Sequence, residues 1–206
     1  MTGLGGCRNF IATCDSYARW HKKLTMKGNR RNIILTGFMA TGKSAVGKEL
    51  AARLGYAFLD LDSLIEGEAG MPISRIFATQ GEERFRAMES RMVEQAARRD
   101  ACVIATGGGA ILNPRNLEAL KQSGVVIALT ATPETILERL GTGEDRPMLW
   151  GGETLERIRC LLAERAPAYA KADLSVDTTE RSIPQVVDHI LGALRARPQT
   201  PPEGAS

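Results

Sequence analysis

The sequence predicts an α/β fold, a five-stranded parallel sheet flanked by helices and carrying a mobile lid. Three observations carry this. Short apolar runs alternate with helical patterns along the chain, which favours parallel strands joined by crossover helices. One strand–loop–helix unit holds glycines and a lysine at fixed spacing, Gly37-Phe38-Met39-Ala40-Thr41-Gly42-Lys43-Ser44. No period of about 20–50 residues recurs, which excludes a solenoid.

Asn32 to Thr36 reads as a buried first strand. Ser44 to Leu54 reads as a helix, with Val46, Leu50 and Leu54 on one face and Gly55 as its stop. Ala57-Phe58-Leu59-Asp60 is a second strand. A helix beginning near Gly81 places Phe85, Met88, Met92 and Ala96 on a core-facing stripe. Ala101 to Thr106 is a third strand and ends at Gly107-Gly108-Gly109. Val125 to Thr130 is a fourth, and Asp173 to Asp177 a fifth. Asn113-Pro114 and Thr132-Pro133 each put an N-cap residue before a proline at the first helical position. Ser182-Ile183-Pro184-Gln185 has the capping-box spacing.

The chain divides into a basic leader (1–31), one folded domain (32–196) and a Pro-rich flexible tail (197–206). The leader reads as a disordered arm or as an over-extended start. It holds seven Lys/Arg and one Asp, whereas the remainder holds twenty Lys/Arg and twenty-three Asp/Glu. The basicity therefore lies outside the folded part, and nucleic-acid binding by the domain is not expected. No run approaches the roughly 18 apolar residues of a membrane helix. Cys7, Cys14, Cys102 and Cys160 lack C-x-x-C spacing. A zinc site is thus not expected, and a reducing cytoplasm is the simpler location. Cys102 reads as a small buried hydrophobe.

The glycine-rich loop has the pattern G-x-x-x-x-G-K-[ST] in its proper setting, after a strand and before a helix. Backbone N–H groups of such a loop cradle phosphate oxygens, and the helix brings its positive dipole end to the anion. Lys43 adds a cation near the β- and γ-phosphates, and the Ser44 hydroxyl is placed to ligate Mg²⁺. Ligands of parallel sheets bind at the carboxyl ends of the strands. After strand two come Asp60 and Asp62, which alternation points to one side of an extended segment. One could hold Mg²⁺ through water and the other accept a substrate hydroxyl proton; the bland alternative makes Asp62 a helix N-cap. After strand three, the triple glycine exposes N–H groups and admits a ligand closely. Arg86 and Glu89 stand at i, i+3, close enough to pair, and by pattern alone they are a surface ion pair. Residues 141–152 carry bracketing glycines, Arg146 and apolar residues, as a lid that excludes water during phosphoryl transfer would.

From about Asn32 to Leu194 the chain resembles the shikimate kinase family. The resemblance rests on the phosphate loop, Leu59-Asp60-Leu61-Asp62, Ile76 to Glu82 with Phe85 to Glu89, Thr106 to Ala110, Asp145 to Leu149, and Glu164-Arg165-Ala166-Pro167-Ala168-Tyr169. It implies a phosphate-loop kinase of the nucleoside-monophosphate-kinase type that phosphorylates the 3-hydroxyl of shikimate with ATP. It implies that Asp62 binds the shikimate hydroxyls and is the base. Arg86 and Arg165 would grip the carboxylate, with Glu89 orienting Arg86 and Gly108 and Gly109 lying against the substrate. Lys43 and Arg146 would act on the phosphates, in a loop formed by Gly37, Ala40, Thr41, Gly42, Lys43, Ser44 and Ala45. Ser44 and Asp60 would hold Mg²⁺, and Arg139, Pro147 and Arg181 would flank the adenine. A monomer is expected, with shikimate as its small-molecule partner.

Two features depart from the family. Ala40 stands where a glycine is common, and alanine resists a strongly positive φ. The leader is not required by the family's core. A gluconate-type kinase on the same scaffold is the nearest alternative enzyme; Arg86 and Arg165 together count against kinases on that scaffold whose substrates carry no carboxylate. A non-catalytic nucleotide-binding regulator would be expected to lack Asp62 or the lid arginine.

Overall fold

The computed structural model describes residues 31–140 and 154–196. The leader, the expected lid with Arg146 and Pro147, and the tail lie outside the described residues.

The described chain runs β1 (Asn32–Gly37), α1 (Lys43–Leu54), β2 (Ala57–Asp60), α2 (Leu61–Ala69), α3 (Ile73–Ala97), β3 (Cys102–Ala105), a 3₁₀ turn (Ala110–Leu112), α4 (Pro114–Ser123), β4 (Gly124–Thr130), α5 (Pro133–Leu140), α6 (Thr154–Tyr169), β5 (Leu174–Asp177) and α7 (Ile183–Ala196). The strands form one five-stranded sheet in the order β2-β3-β1-β4-β5, and every pairing is parallel. β1 occupies the centre, between β3 and β4, and is buried along its whole length. This explains its unbroken apolar run, since a strand covered on both faces needs no polar alternation.

Alternation divides β1 between two cores. Ile34 joins Ile104, Val126 and Ala128 in a cluster closed by Ile65, Phe85, Met88, Met92 and Leu120 from the helices. Leu35 faces the other way, toward α1. There Val46, Leu50 and Leu54 are buried as their spacing predicts. Gly47 is needed at this contact, because a Cβ would lie 2.5 Å from the Phe58 ring.

Several ends form as expected. Asn113 caps α4, its side chain accepting from Arg115 N at 3.0 Å. Gln185 Oε1 accepts from Ser182 N at 2.9 Å, one half of the capping box. α3 is two helical segments meeting at Gly81, whose φ 83°, ψ 168° is not helical; the second begins after Gly81 as expected, and a first, from Ile73, precedes it. The stripe of Phe85, Met88, Met92 and Ala96 is buried as expected on the segment after this break.

The Asp60–Asp62 expectation needs correction. The strand stops at Asp60, whose side chain accepts from Ser63 N and so caps α2. Asp62 lies in the first turn of α2, where a carboxylate also suits the helix dipole. The two carboxylates are not strand alternates, and Asp62 is not the cap.

Candidate functional site

The loops after β1, β2 and β3 meet at the carboxyl edge of the sheet. The phosphate loop turns through three positive φ values, Gly37 at 136°, Ala40 at 60° and Gly42 at 92°. Gly37 also has no room for a side chain, since a Cβ would lie 2.2 Å from Leu129 O. Ala40 therefore occupies a left-handed position that costs an L-residue about 1–2 kcal/mol. Replacing it with glycine relieves that cost but adds about 0.4–1 kcal/mol of chain entropy to the unfolded state. We expect Ala40→Gly to stabilise the protein by about 0.5–1 kcal/mol, read as a Tm rise of about 1–4 °C. An unchanged or lower Tm would show that the loop holds alanine without strain.

The loop is stitched inward. Phe38 O accepts from Lys43 Nζ and from Thr41 Oγ1, each at 2.8 Å. Ser44 Oγ donates to Asp60 Oδ2 at 2.6 Å, which joins the start of α1 to the end of β2. A hydroxyl and a carboxylate side by side are hard oxygen donors, the kind Mg²⁺ takes while keeping waters and phosphate oxygens as its other ligands. Among the described residues no group of three or more His, Cys, Asp or Glu could hold a metal unaided. The pair thus fits a cation delivered with a nucleotide.

Arg139, near the end of α5, crosses to the opposite rim of the loop. Its Nη2 donates to Thr178 O at 2.6 Å and its Nη1 to Thr178 Oγ1 at 3.0 Å. Nη1 also lies 3.4 Å from Ala40 O. Arg181 is exposed beside this segment, where it adds to the pull that the Thr179 hydrogen bonds exert in lowering the Asp177 pKa.

The second half of the site surrounds Gly107-Gly108-Gly109. A Cβ on Gly107 would lie 2.8 Å from both Asp62 Oδ1 and Glu89 Oε1. One on Gly109 would lie 2.8 Å from Arg86 Nη1, and one on Gly108 3.5 Å from Arg165 Nη1. Three successive glycines thus let two carboxylates and two guanidinium groups close in on one backbone segment. Gly108 also backs onto Gly37 O, at 3.3 Å from its Cβ position, so this half adjoins the phosphate loop.

Arg86 and Glu89 are not the surface pair that spacing alone indicates. Glu89 is only 2% exposed, and its Oε2 accepts from Arg86 Nη1 at 2.8 Å. Burial raises the Glu89 pKa, Arg86 and Arg165 work against that rise, and Asp62 adds to it. Burial opposes the charge on Arg86, yet Glu89 and Glu82 hold its pKa above the ordinary value. Arg165, on α6, is 3% exposed, and its guanidinium lies 5.4 Å from the Phe38 ring centroid. An arginine suits that place, since its planar cation stacks on aromatic faces.

Sequence reasoning missed two contributors. Tyr169 was visible within a motif but had no role; its hydroxyl donates to Gly108 O at 2.7 Å and anchors the triple glycine. Burial pushes this phenol up against the pull of Arg165, which keeps it a neutral donor. Thr178 follows β5 and has no motif at all. Both act through contacts remote in sequence.

A family model described as "SKI: Shikimate kinase" matches residues 39–195. The chain belongs to the shikimate kinase family. It is 48% identical over 167 residues to a shikimate kinase of Geobacter metallireducens, covering 81% of this chain and 93% of the relative. A solved shikimate kinase from Acinetobacter baumannii, in complex with shikimate, matches with TM-score 0.80 and 35% identity, over 86% of this chain and 97% of that one. A gluconokinase from Sinorhizobium meliloti matches at TM-score 0.55 and 18% identity, a likeness of fold alone. Among the described residues, no helix is long and apolar enough to cross a membrane.

Proposed function

We propose that the protein transfers the γ-phosphoryl group of ATP to the 3-hydroxyl of shikimate, giving shikimate 3-phosphate and ADP on the route to chorismate and aromatic amino acids. One observation carries this most directly. Arg86 and Arg165 stand against neighbouring glycines, Gly109 and Gly108, and Gly108 abuts the phosphate loop. A carboxylate held by both guanidinium groups leaves its ring hydroxyls beside Asp62 and the transferring phosphate.

The chain's own residues then have distinct tasks. Asp62 accepts the hydroxyl proton as the new oxygen–phosphorus bond forms and the bond to the β-phosphate oxygen breaks. Glu89 holds Arg86 in place through its short bond. Lys43 and the loop N–H groups take up negative charge on the phosphates. Ser44 and Asp60 would hold Mg²⁺, which neutralises phosphate charge when bound. Arg146 would come from the lid toward the phosphates, and Arg139, Pro147 and Arg181 would lie about the adenine. Little covalent chemistry is asked of the protein, since phosphoryl transfer is chiefly positioning and electrostatics.

The test is ADP release on adding shikimate and MgATP, with the product located by ³¹P NMR. We expect phosphate on the 3-oxygen and no turnover of gluconate. Turnover of gluconate but not shikimate would overturn the reading.

A further inference from the structure

Thr178 ties together three parts of the nucleotide half of the site. It follows β5 and is 2% exposed. Its Oγ1 lies 3.0 Å from Arg139 Nη1, 3.2 Å from Thr41 O and 3.0 Å from Thr130 O. A hydroxyl has one proton and two lone pairs, and a guanidinium only donates. The lone pair therefore serves Arg139, and the proton goes to a carbonyl. Thr130 O already takes the backbone N–H of Thr178 at 2.9 Å, which leaves Thr41 O as the carbonyl that gains most. The bonds then run from guanidinium to hydroxyl to loop carbonyl, each polarising the next.

Thr41 sits between the two left-handed residues Ala40 and Gly42. Its carbonyl shares a peptide plane with the Gly42 N–H, and in a trans peptide the two point in opposite directions. Drawing Thr41 O toward Thr178 turns the Gly42 N–H away from β5, as a cradle of inward N–H groups requires. We infer that Thr178 is a positioning residue for nucleotide binding: its hydroxyl couples Arg139 to Thr41 O and sets the backbone of the phosphate loop. The inference rests on that loop holding ATP.

Thr178→Ala and Thr178→Ser separate this role from mere packing. The readouts are Kd for MgADP by calorimetry, KM for ATP and for shikimate, and Tm. Thr178→Ala should weaken MgADP binding and raise KM for ATP by about 5- to 20-fold, the loss of a partly buried hydrogen bond. KM for shikimate should stay within about two-fold, and Thr178→Ser should restore nucleotide binding to within about two-fold, because it keeps the hydroxyl. Should the alanine variant not fold, Thr178→Val removes the same hydroxyl and keeps the branched shape. Unchanged MgADP affinity in a variant without the hydroxyl would overturn the inference. Equal losses for shikimate and nucleotide with no rescue by serine would also overturn it, by reducing Thr178 to a packing residue. Wild-type protein that fails to bind MgADP would overturn the phosphate-loop reading, and this inference with it.

Discussion

Asp62→Asn is expected to lower kcat by about 10²- to 10⁴-fold, the range of a lost general base. The substitution keeps the side chain's size and removes only its basicity and charge. Asp62 does not cap α2, because Asp60 does, so the helix start is preserved. Asp62 also adds to the rise in the Glu89 pKa, so removing its charge relieves a repulsion beside Gly107. KM for ATP should hardly change. Pre-steady-state quench kinetics would show whether chemistry has slowed. Near-normal kcat in a folded Asp62→Asn protein would remove this carboxylate from proton transfer.

Lys43→Met is expected to lower kcat by about 10²- to 10³-fold, the usual loss when one preorganised charge is taken from a transition state. Lys43 Nζ donates to Phe38 O, but Thr41 Oγ1 donates to the same carbonyl. That carbonyl keeps a partner in the variant, and the loop should stay folded. The effect should fall on kcat more than on KM for shikimate, since the groups proposed to hold shikimate are those around Gly107 to Gly109. A folded Lys43→Met enzyme with wild-type turnover would contradict the loop's assignment.

The phosphate loop was legible because every requirement on it is local. A buried strand, glycines at fixed spacing and an amphipathic helix all appear within 32–54. The parallel five-stranded sheet was legible for the same reason, from apolar runs punctuated by proline and glycine. Local rules also misled. The strand was expected to end at Asp60 with extended backbone running on to Asp62, but an aspartate at a strand end competes for the next helix's free N–H groups, and Asp60 took that place. The i, i+3 spacing of Arg86 and Glu89 foretold their bond, not the burial of Glu89, which depends on β3 and its glycines packing over α3. Thr178 and Tyr169 were beyond reach of pattern. Their partners Thr41 and Gly108 lie 137 and 61 residues away, and a lone threonine or tyrosine carries no spacing that reports such a contact. The strain at Ala40 was legible in kind, since alanine stood at a glycine position, and the φ of 60° gives it a place.

The proposed carboxylate clamp would be the feature that selects shikimate, and one comparison tests it most directly. Shikimate and its methyl ester differ in a single charge and share the reacting hydroxyl unchanged. A charge-assisted hydrogen bond contributes about 1.5–3 kcal/mol, so the wild-type enzyme should show kcat/KM about 10- to 100-fold lower for the ester. Arg86→Ala should discriminate less between the two, because one guanidinium is already gone, and its affinity for ATP should be unchanged. Equal use of acid and ester by the wild type would contradict the clamp, and with it the placement of shikimate between Arg86, Arg165 and the triple glycine.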